Sequence, residues 1–266
     1  MASVQLIKYQ ALGNDYLVLD LPADLDGVVR MLPQLCDRHR GVGADGLLTF
    51  DKAAFSVRIF NPDGSEAERS GNGLRIAACH AVLEHGAGRE FALRTGDRSN
   101  PVCVLSTAGP EVICELDVGV PRFDPDDWVM LETPAGSARC RLVEVGNPHC
   151  VVFGEPVTPD RCRELGPLLE HHPRFPKRTN VQLVEPLGRD RARIEIWERG
   201  AGYTLASGTS ASAVTAALIR TGDADPAMEI VMPGGTLAVR QEPDGRLVQS
   251  GPARRVHRVT VDLDDL

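Results

Sequence analysis

The chain has 266 residues, 42% of them hydrophobic and 25% charged, with a formal net charge of −8 at pH 7. That is enough chain for two domains with cores of their own, in the composition range of soluble globular proteins. The acidic balance excludes a nucleic-acid backbone as main partner, because counterion release needs a basic face. No apolar run approaches the ~18–20 residues that span a bilayer, so no membrane partner is expected. Residues 1–16 lack the basic-then-apolar order of a secretory signal, and a cytoplasmic location is the expectation. The seven cysteines (Cys36, Cys79, Cys103, Cys114, Cys140, Cys150, Cys162) form no CxxC pair and no zinc-spaced His/Cys cluster. Buried free thiols are expected, with no disulfide framework and no metal.

In chain order, residues 5–10 and 16–21 read as strands around a Gly-Asn loop. Residues 28–39 read as an amphipathic helix ending at the glycines of RGVGADG, a segment without the lysine of a phosphate loop. Strands follow at 56–61, 91–95, 102–107, 111–119, 138–146, 150–154, 181–186, 192–199, 229–235 and 236–242, with a last one at 256–263. Two small-residue helices, 74–84 and 210–220, interrupt them. Strands outnumber helices and do not alternate with them, so the class is α+β rather than βαβ.

The two helices begin alike. Ser70-Gly71-Asn72-Gly73 opens the first and Ser207-Gly208-Thr209-Ser210 the second, and both run to a glycine (Gly86, Gly222) suited to a left-handed C-terminal cap. Upstream of each lies a Gly-Asn loop, Gly13-Asn14 and Gly146-Asn147, at nearly the same interval. The repetition predicts an internal duplication. The expected domains are 1–118, completed by a returning strand at 254–266, and 119–253.

A helix N-terminus presents unpaired N–H groups and the positive end of the dipole, and so binds a carboxylate. Two such termini holding one α-carboxylate would place the side chains at the helix starts on opposite faces of the adjacent Cα. That arrangement suits removal of a proton on one face and its return on the other. Taken alone, Ser70 and Ser207 are good N-caps, and the asparagines are good turn formers.

The segments GNDY, CDRHRGVGADGLL, RIFNPDGSEAERSGNGLR, VGNPHCVVF, RTNVQLV and IWERGAGYTLASGTSASA, in that order, resemble the signature blocks of diaminopimelate epimerase. The resemblance implies two similar domains related by pseudo-twofold symmetry, each a set of strands wrapped around a central helix. It implies a cofactor-independent isomerase of lysine biosynthesis acting on a small amino acid, from LL- to meso-diaminopimelate or on a related compound, in an interdomain cleft; a homodimer is left open. By the same resemblance, Asn14, Asn61, Asn147 and Asn180 contact substrate, and Arg199 holds its distal carboxylate with support from Glu198. Gly71, Asn72, Gly208 and Thr209 supply donors for the α-carboxylate, and His149 stands near the catalytic pair. The departure is at that pair. The family uses two cysteines where this chain has Ser70 and Ser207, and a hydroxyl is a far weaker acid than a thiol. Arg69, Ser210 and Ser212 also differ from the commonest family forms. Other readings stay open at this point: a lyase or non-inverting isomerase using the same carbanion, a binding form without the chemistry, or serines introduced to stop turnover.

Overall fold

Alternation in one strand shows how the first half of the chain is layered. Along Asn14–Leu21, Tyr16 and Val18 join one apolar cluster while Leu17 and Leu19 join another, as the two-residue period of a strand requires. The computed structural model describes residues 3–67 and 70–265; Arg69 lies outside them. By its contacts the chain divides into two compact units, 1–116 with 251–266, and 117–250.

The first unit contains β1 (Ser3–Ala11), β2 (Asn14–Leu21), α1 (Leu25–Arg30), α2 (Leu32–Leu35), β3 (Leu47–Asp51), β4 (Ser56–Phe60), β5 (Glu66–Ala67), α3 (Gly71–His85), β6 (Glu90–Thr95), β7 (Arg98–Ala108) and the start of β8 (Glu111–Gly119). In the second are β9 (Arg122–Phe123), β10 (Val129–Thr133), β11 (Gly136–Glu144), β12 (Pro148–Phe153), α4 (Pro159–Glu170), β13 (Asn180–Pro186), β14 (Arg191–Glu198), β15 (Gly202–Thr204), α5 (Gly208–Thr221), β16 (Ala227–Met232), β17 (Gly235–Gln241) and the start of β18 (Leu247–Asp262). A 3-10 turn, Leu263–Asp265, ends the described chain.

Both units repeat one pairing scheme. In the first, β1 and β2 form a hairpin, β2 runs parallel to β3, β3 antiparallel to β4, β4 parallel to β6, and β6–β7–β8 follow as a meander. In the second, β11 and β12 pair antiparallel, β12 runs parallel to β13, β13 antiparallel to β14, β14 parallel to β16, and β16–β17–β18 follow as a meander. The helix that begins with Ser-Gly stands between β4 and β6 in the first unit and between β14 and β16 in the second. The fold is two similar α+β units. The far half of β18 pairs antiparallel with β1, from Ser3↔Asp262 to Gln10↔Arg254.

Each central helix is enclosed. Every residue of α3 from Gly71 to Ala81 is buried, as is nearly every residue of α5 from Gly208 to Leu218. Small side chains suit such positions: Ala77, Ala78 and Ala81 let α3 lie close to Tyr9, Tyr16, Leu48 and Phe50. On the other face of β2 and β3, Val28, Leu32 and Leu35 of α1 and α2 cover Leu17, Leu19 and Leu47. In the second unit Cys162, Leu165 and Leu169 of α4 cover Cys150, Val152, Val181 and Leu183.

The strands β3, β5, β9, β10 and β15 and the first part of β18 were not expected from the sequence, and two helical segments differ from the expectation. The helix expected over 28–39 is two short ones, because Pro33 lacks an N–H and a new helix starts at Leu32 with proline in its first turn. Helix α4 was not expected, since Gly166-Pro167 reads as a break. A Cβ on Gly166 would stand 2.5 Å from Cγ of Trp197, so the glycine is where the indole packs against the helix. Thr158, whose side chain accepts from Arg161 N–H, and Pro159 in the first turn start it.

Candidate active site

Ser70 is the N-cap of α3 in extended conformation, and its Oγ accepts the Gly73 N–H at 3.0 Å. Gly71 and Asn72 follow in the first turn, whose N–H groups no intrahelical carbonyl can reach. The Asn72 amide donates to Asn14 Oδ1 at 3.2 Å, and Asn14 Nδ2 donates to Asp45 Oδ2 at 2.7 Å. Asp45 comes from RGVGADG and is held in turn by Arg38 at 2.6 Å, while Arg38 and Lys8 both bind Asp15. Gly46 closes that loop: a Cβ there would lie 2.3 Å from the Phe60 carbonyl oxygen. The glycine-rich loop is thus the clamp for Asn14.

Arg75 lies under this terminus, fully buried, with one guanidinium nitrogen 2.6 Å from Asn72 Oδ1. Its Nε and other terminal nitrogen have no partner among the described residues. Burial pushes its pKa down to about 10, which leaves it a cation at neutral pH. A buried positive charge thus adds to the dipole at the first turn of α3. Asn61 stands apart. It is exposed and folds onto its own turn, with N–H to Ser65 O at 2.8 Å and Nδ2 to Ser65 Oγ at 2.9 Å.

In the second unit Ser207 is the N-cap of α5, again extended. Its Oγ accepts the Ser210 N–H at 3.4 Å and lies 3.4 Å from Thr209 Oγ1. Gln249 packs over the next residue: a Cβ on Gly208 would meet its Oε1 at 2.3 Å. A buried chain runs from Ser210 Oγ to Gln182 Nε2 (3.0 Å), then to His149 Nδ1 (3.1 Å), and from His149 Nε2 to Asn147 Oδ1 (2.8 Å). Burial above all, aided by the positive charge of Arg199, pushes the His149 pKa down to about 3 against the Gln182 hydrogen bond. His149 is therefore neutral.

The Asn180 side chain ties two backbones, donating to the Pro148 carbonyl at 2.9 Å and accepting the Arg199 N–H at 3.0 Å. Beyond it, Glu170 accepts from Trp197 Nε1 at 2.7 Å and Gly200 N–H at 2.9 Å, which fixes the turn after Glu198 and Arg199. Arg199 is exposed at that turn and Glu198 half-buried. The asparagines at 14 and 72 thus meet in one unit, and 147, 149 and 207 are linked through Ser210 and Gln182 in the other. Asp45, Arg75, Gln182 and Ser210 were not singled out as site residues from the sequence. Gln182 had a legible signal, standing two residues after Asn180 on a strand and hence on the same face.

Among the described residues, neither serine hydroxyl bonds to an imidazole or carboxylate. The natural thiols do not replace the missing ones. All seven are free and six are buried, and burial pushes Cys79 and Cys162 up to about 12. No helix among the described residues is long and apolar enough to cross a membrane.

The fold is that of known epimerase-like proteins. The structure superposes on a Bacillus anthracis phenazine biosynthesis protein with a TM-score of 0.73 at 15% identity, covering 98% of this chain and 100% of that one. A hydroxyproline epimerase from Agrobacterium vitis, with bound trans-4-hydroxy-L-proline, gives 0.68 at 19% identity, covering 98% and 91%. At such identities the likeness is one of fold. Sequence carries it further: the family model described as diaminopimelate epimerase matches residues 6–109 and 141–256. A diaminopimelate epimerase of Synechococcus elongatus is 37% identical over 98% of this chain and 99% of its own length. A second, diaminopimelate epimerase 2 of a Nostoc species, is 39% identical over 91% and 90%. The chain belongs to the diaminopimelate epimerase family.

Proposed function

We propose that this protein is a cofactor-independent epimerase that inverts the α-carbon of diaminopimelate, LL to meso, or of a closely related amino acid. The observation that carries the reading is the matched pair of enclosed helices, each opened by an extended serine cap and a glycine, in a chain of this family. The first-turn N–H groups at Gly71, Asn72, Gly208 and Thr209 bind the α-carboxylate, and the charge of Arg75 adds to their field. Asn14 and Asn147 orient the substrate from their clamps. Asn61 and Asn180 serve the same substrate, Asn180 chiefly by fixing the turn from which Arg199 takes the distal carboxylate in bidentate fashion. Glu198 supports that end.

Chemically, one residue takes the Cα proton, and the electron pair left on carbon spreads into the α-carboxylate, where the helix termini stabilise it. The other residue delivers a proton to the opposite face, so that the bond to hydrogen breaks and re-forms with inversion. Ser70 and Ser207 occupy these two positions, and the one that takes the Cα proton must first release its own hydroxyl proton to water, since neither hydroxyl has a carboxylate or imidazole beside it among the described residues. Their protons are held far more tightly than those of thiols at helix N-termini, which keeps the step slow. His149, neutral and hydrogen-bonded on both ring nitrogens, is a positioning residue for Asn147 and α5. The test is incubation with a panel of α-amino acids in deuterated water, followed by mass spectrometry. Label at Cα of diaminopimelate above that of the other amino acids supports the reading, and label on another amino acid alone moves the substrate assignment.

A further inference from the structure

The C-terminal half of α3 carries a cluster that the proposed chemistry does not use. His80 Nε2 and His85 Nε2 stand 3.3 Å apart, and each lies 2.9 Å from the same oxygen of Asp20, at the end of β2. Two imidazole nitrogens and one carboxylate oxygen thus lie within 4.8 Å of one another. Ser70 is at the other end of the helix, about 20 Å away at 1.5 Å per residue.

The surroundings fix these side chains as ligands are fixed. His80 is fully buried, with its other nitrogen, Nδ1, 3.1 Å from the Tyr9 hydroxyl. That hydroxyl has one proton, and Glu84 Oε1 stands 3.4 Å away to accept it, while Arg255 at 2.7 Å and Arg258 hold the Glu84 carboxylate. In the tautomer in which the Tyr9 oxygen accepts from Nδ1–H of His80, the lone pair of His80 falls on Nε2, facing the cluster. A hydrogen-bonded outer nitrogen and a bare inner one is the usual state of a metal-bound histidine. The His85 ring is held by stacking on Phe50, with centroids 5.1 Å apart and planes within 6°. In that tautomer Nε2 and the Asp20 oxygen, 2.9 Å apart, face each other with lone pairs, and a cation bound between them is what joins them.

We propose that Asp20, His80 and His85 form a binding site for a divalent transition metal of the zinc class, with water as fourth ligand. Two nitrogens and one oxygen are a donor set that zinc accepts. Metal–nitrogen bonds of 2.0–2.1 Å in a tetrahedron set neighbouring ligand atoms about 3.3–3.4 Å apart. The two nitrogens already stand at that separation, and the Asp20 oxygen reaches it by withdrawing a few tenths of an ångström. It is free to do so, because its side chain is 45% exposed and lines an open hollow of about 600 Å³ with Pro22, Asp24 and Arg258. The helix C-terminus adds a negative potential that favours a cation. The ion ties the end of β2 to the last turn of α3, a structural role separate from the serines.

The test uses tag-free full-length protein stripped with chelator and titrated with Co²⁺ and then Zn²⁺, read by visible absorption, bound-metal analysis and melting temperature. The expected result is one equivalent bound, with the d–d bands of a tetrahedral nitrogen–oxygen site, no thiolate charge-transfer band and a raised melting temperature. Asp20→Asn, at a half-exposed position that spares the core, weakens binding at least tenfold. His85→Gln abolishes it, and Tyr9→Phe weakens it by about 10–100-fold through the outer hydrogen bond. Ser70→Ala binds like the unaltered protein. Absence of stoichiometric binding overturns the proposal, as does binding undiminished in Asp20→Asn, or a thiolate band that puts the ion on cysteine.

Discussion

The Gln182 side-chain nitrogen stands 3.1 Å from Nδ1 of His149, inside the second unit. An amide nitrogen only donates, so Nδ1 is the bare acceptor and the imidazole proton sits on Nε2, directed at Asn147 Oδ1. Burial holds the pKa of this ring near 3, below the ordinary value of about 6.5. A histidine depressed in this way favours the native state fully above its unfolded pKa. That contribution is lost as pH falls from about 6.5 toward 3, because the unfolded chain takes the proton first. We expect His149→Gln to lose less of its urea stability between pH 7 and about pH 4.5 than the unaltered protein does. Equal losses would remove His149 as a source of acid sensitivity.

Asn180 is expected to matter through the backbone. In Asn180→Ala the Pro148 carbonyl and the Arg199 N–H both lose their partner, and because both sites are only partly buried the cost for each falls at or below the low end of about 1–3 kcal/mol. Thermal unfolding should show that loss, and KM for a dicarboxylic amino acid should rise more than kcat falls, since the turn carrying Arg199 is released. An unchanged KM would separate Arg199 from substrate.

Asp45 should act through Asn14. Asp45→Ala removes the acceptor 2.7 Å from Asn14 Nδ2 and 3.0 Å from the Asp15 N–H but leaves the Asp15 carboxylate with Arg38 and Lys8. The half-exposed ion pair of Asp45 counts for little in stability, so the expected result is a melting temperature lowered only by the lost Asp15 N–H bond, together with weakened substrate binding. Calorimetric titration with diaminopimelate checks it.

Gly166 is a packing prediction. Its Cβ would overlap Trp197 at 2.5 Å, so Gly166→Ala must shift the indole and strain its bond to Glu170. Overpacking of this kind costs about 1–3 kcal/mol. Denaturant unfolding followed by tryptophan fluorescence should show both the lower midpoint and an altered native spectrum.

What was legible in the sequence was whatever rests on local chemistry. The Ser-Gly starts and glycine ends of α3 and α5, the paired Gly-Asn loops and most strands show themselves in residue type and period. What was hidden depends on residues far apart in the chain. Asp20 is distant from His80 and His85, so no ligand spacing appears, and only the packing of β2 on α3 brings them together. Asp45 reads as part of a turn until the loop folds back on Asn14. Arg75 was not singled out, because nothing local says that α3 is enclosed on every side. Helix α4 was hidden by Gly166-Pro167, whose glycine answers to Trp197 on a strand not yet formed.

On the proposed function, the scaffold is set for proton transfer at Cα and the hydroxyls of Ser70 and Ser207 limit it. The direct measurement is deuterium incorporation at Cα of LL-diaminopimelate in deuterated water, with conversion to the meso form, for the unaltered protein, Ser70→Cys, Ser207→Cys and the double variant. Each thiol gains the helix-terminus field that favours thiolate, and inversion needs both partners. The double variant should therefore exchange and epimerise far faster than the product of the single effects. A double variant that binds diaminopimelate but exchanges no proton would contradict the account.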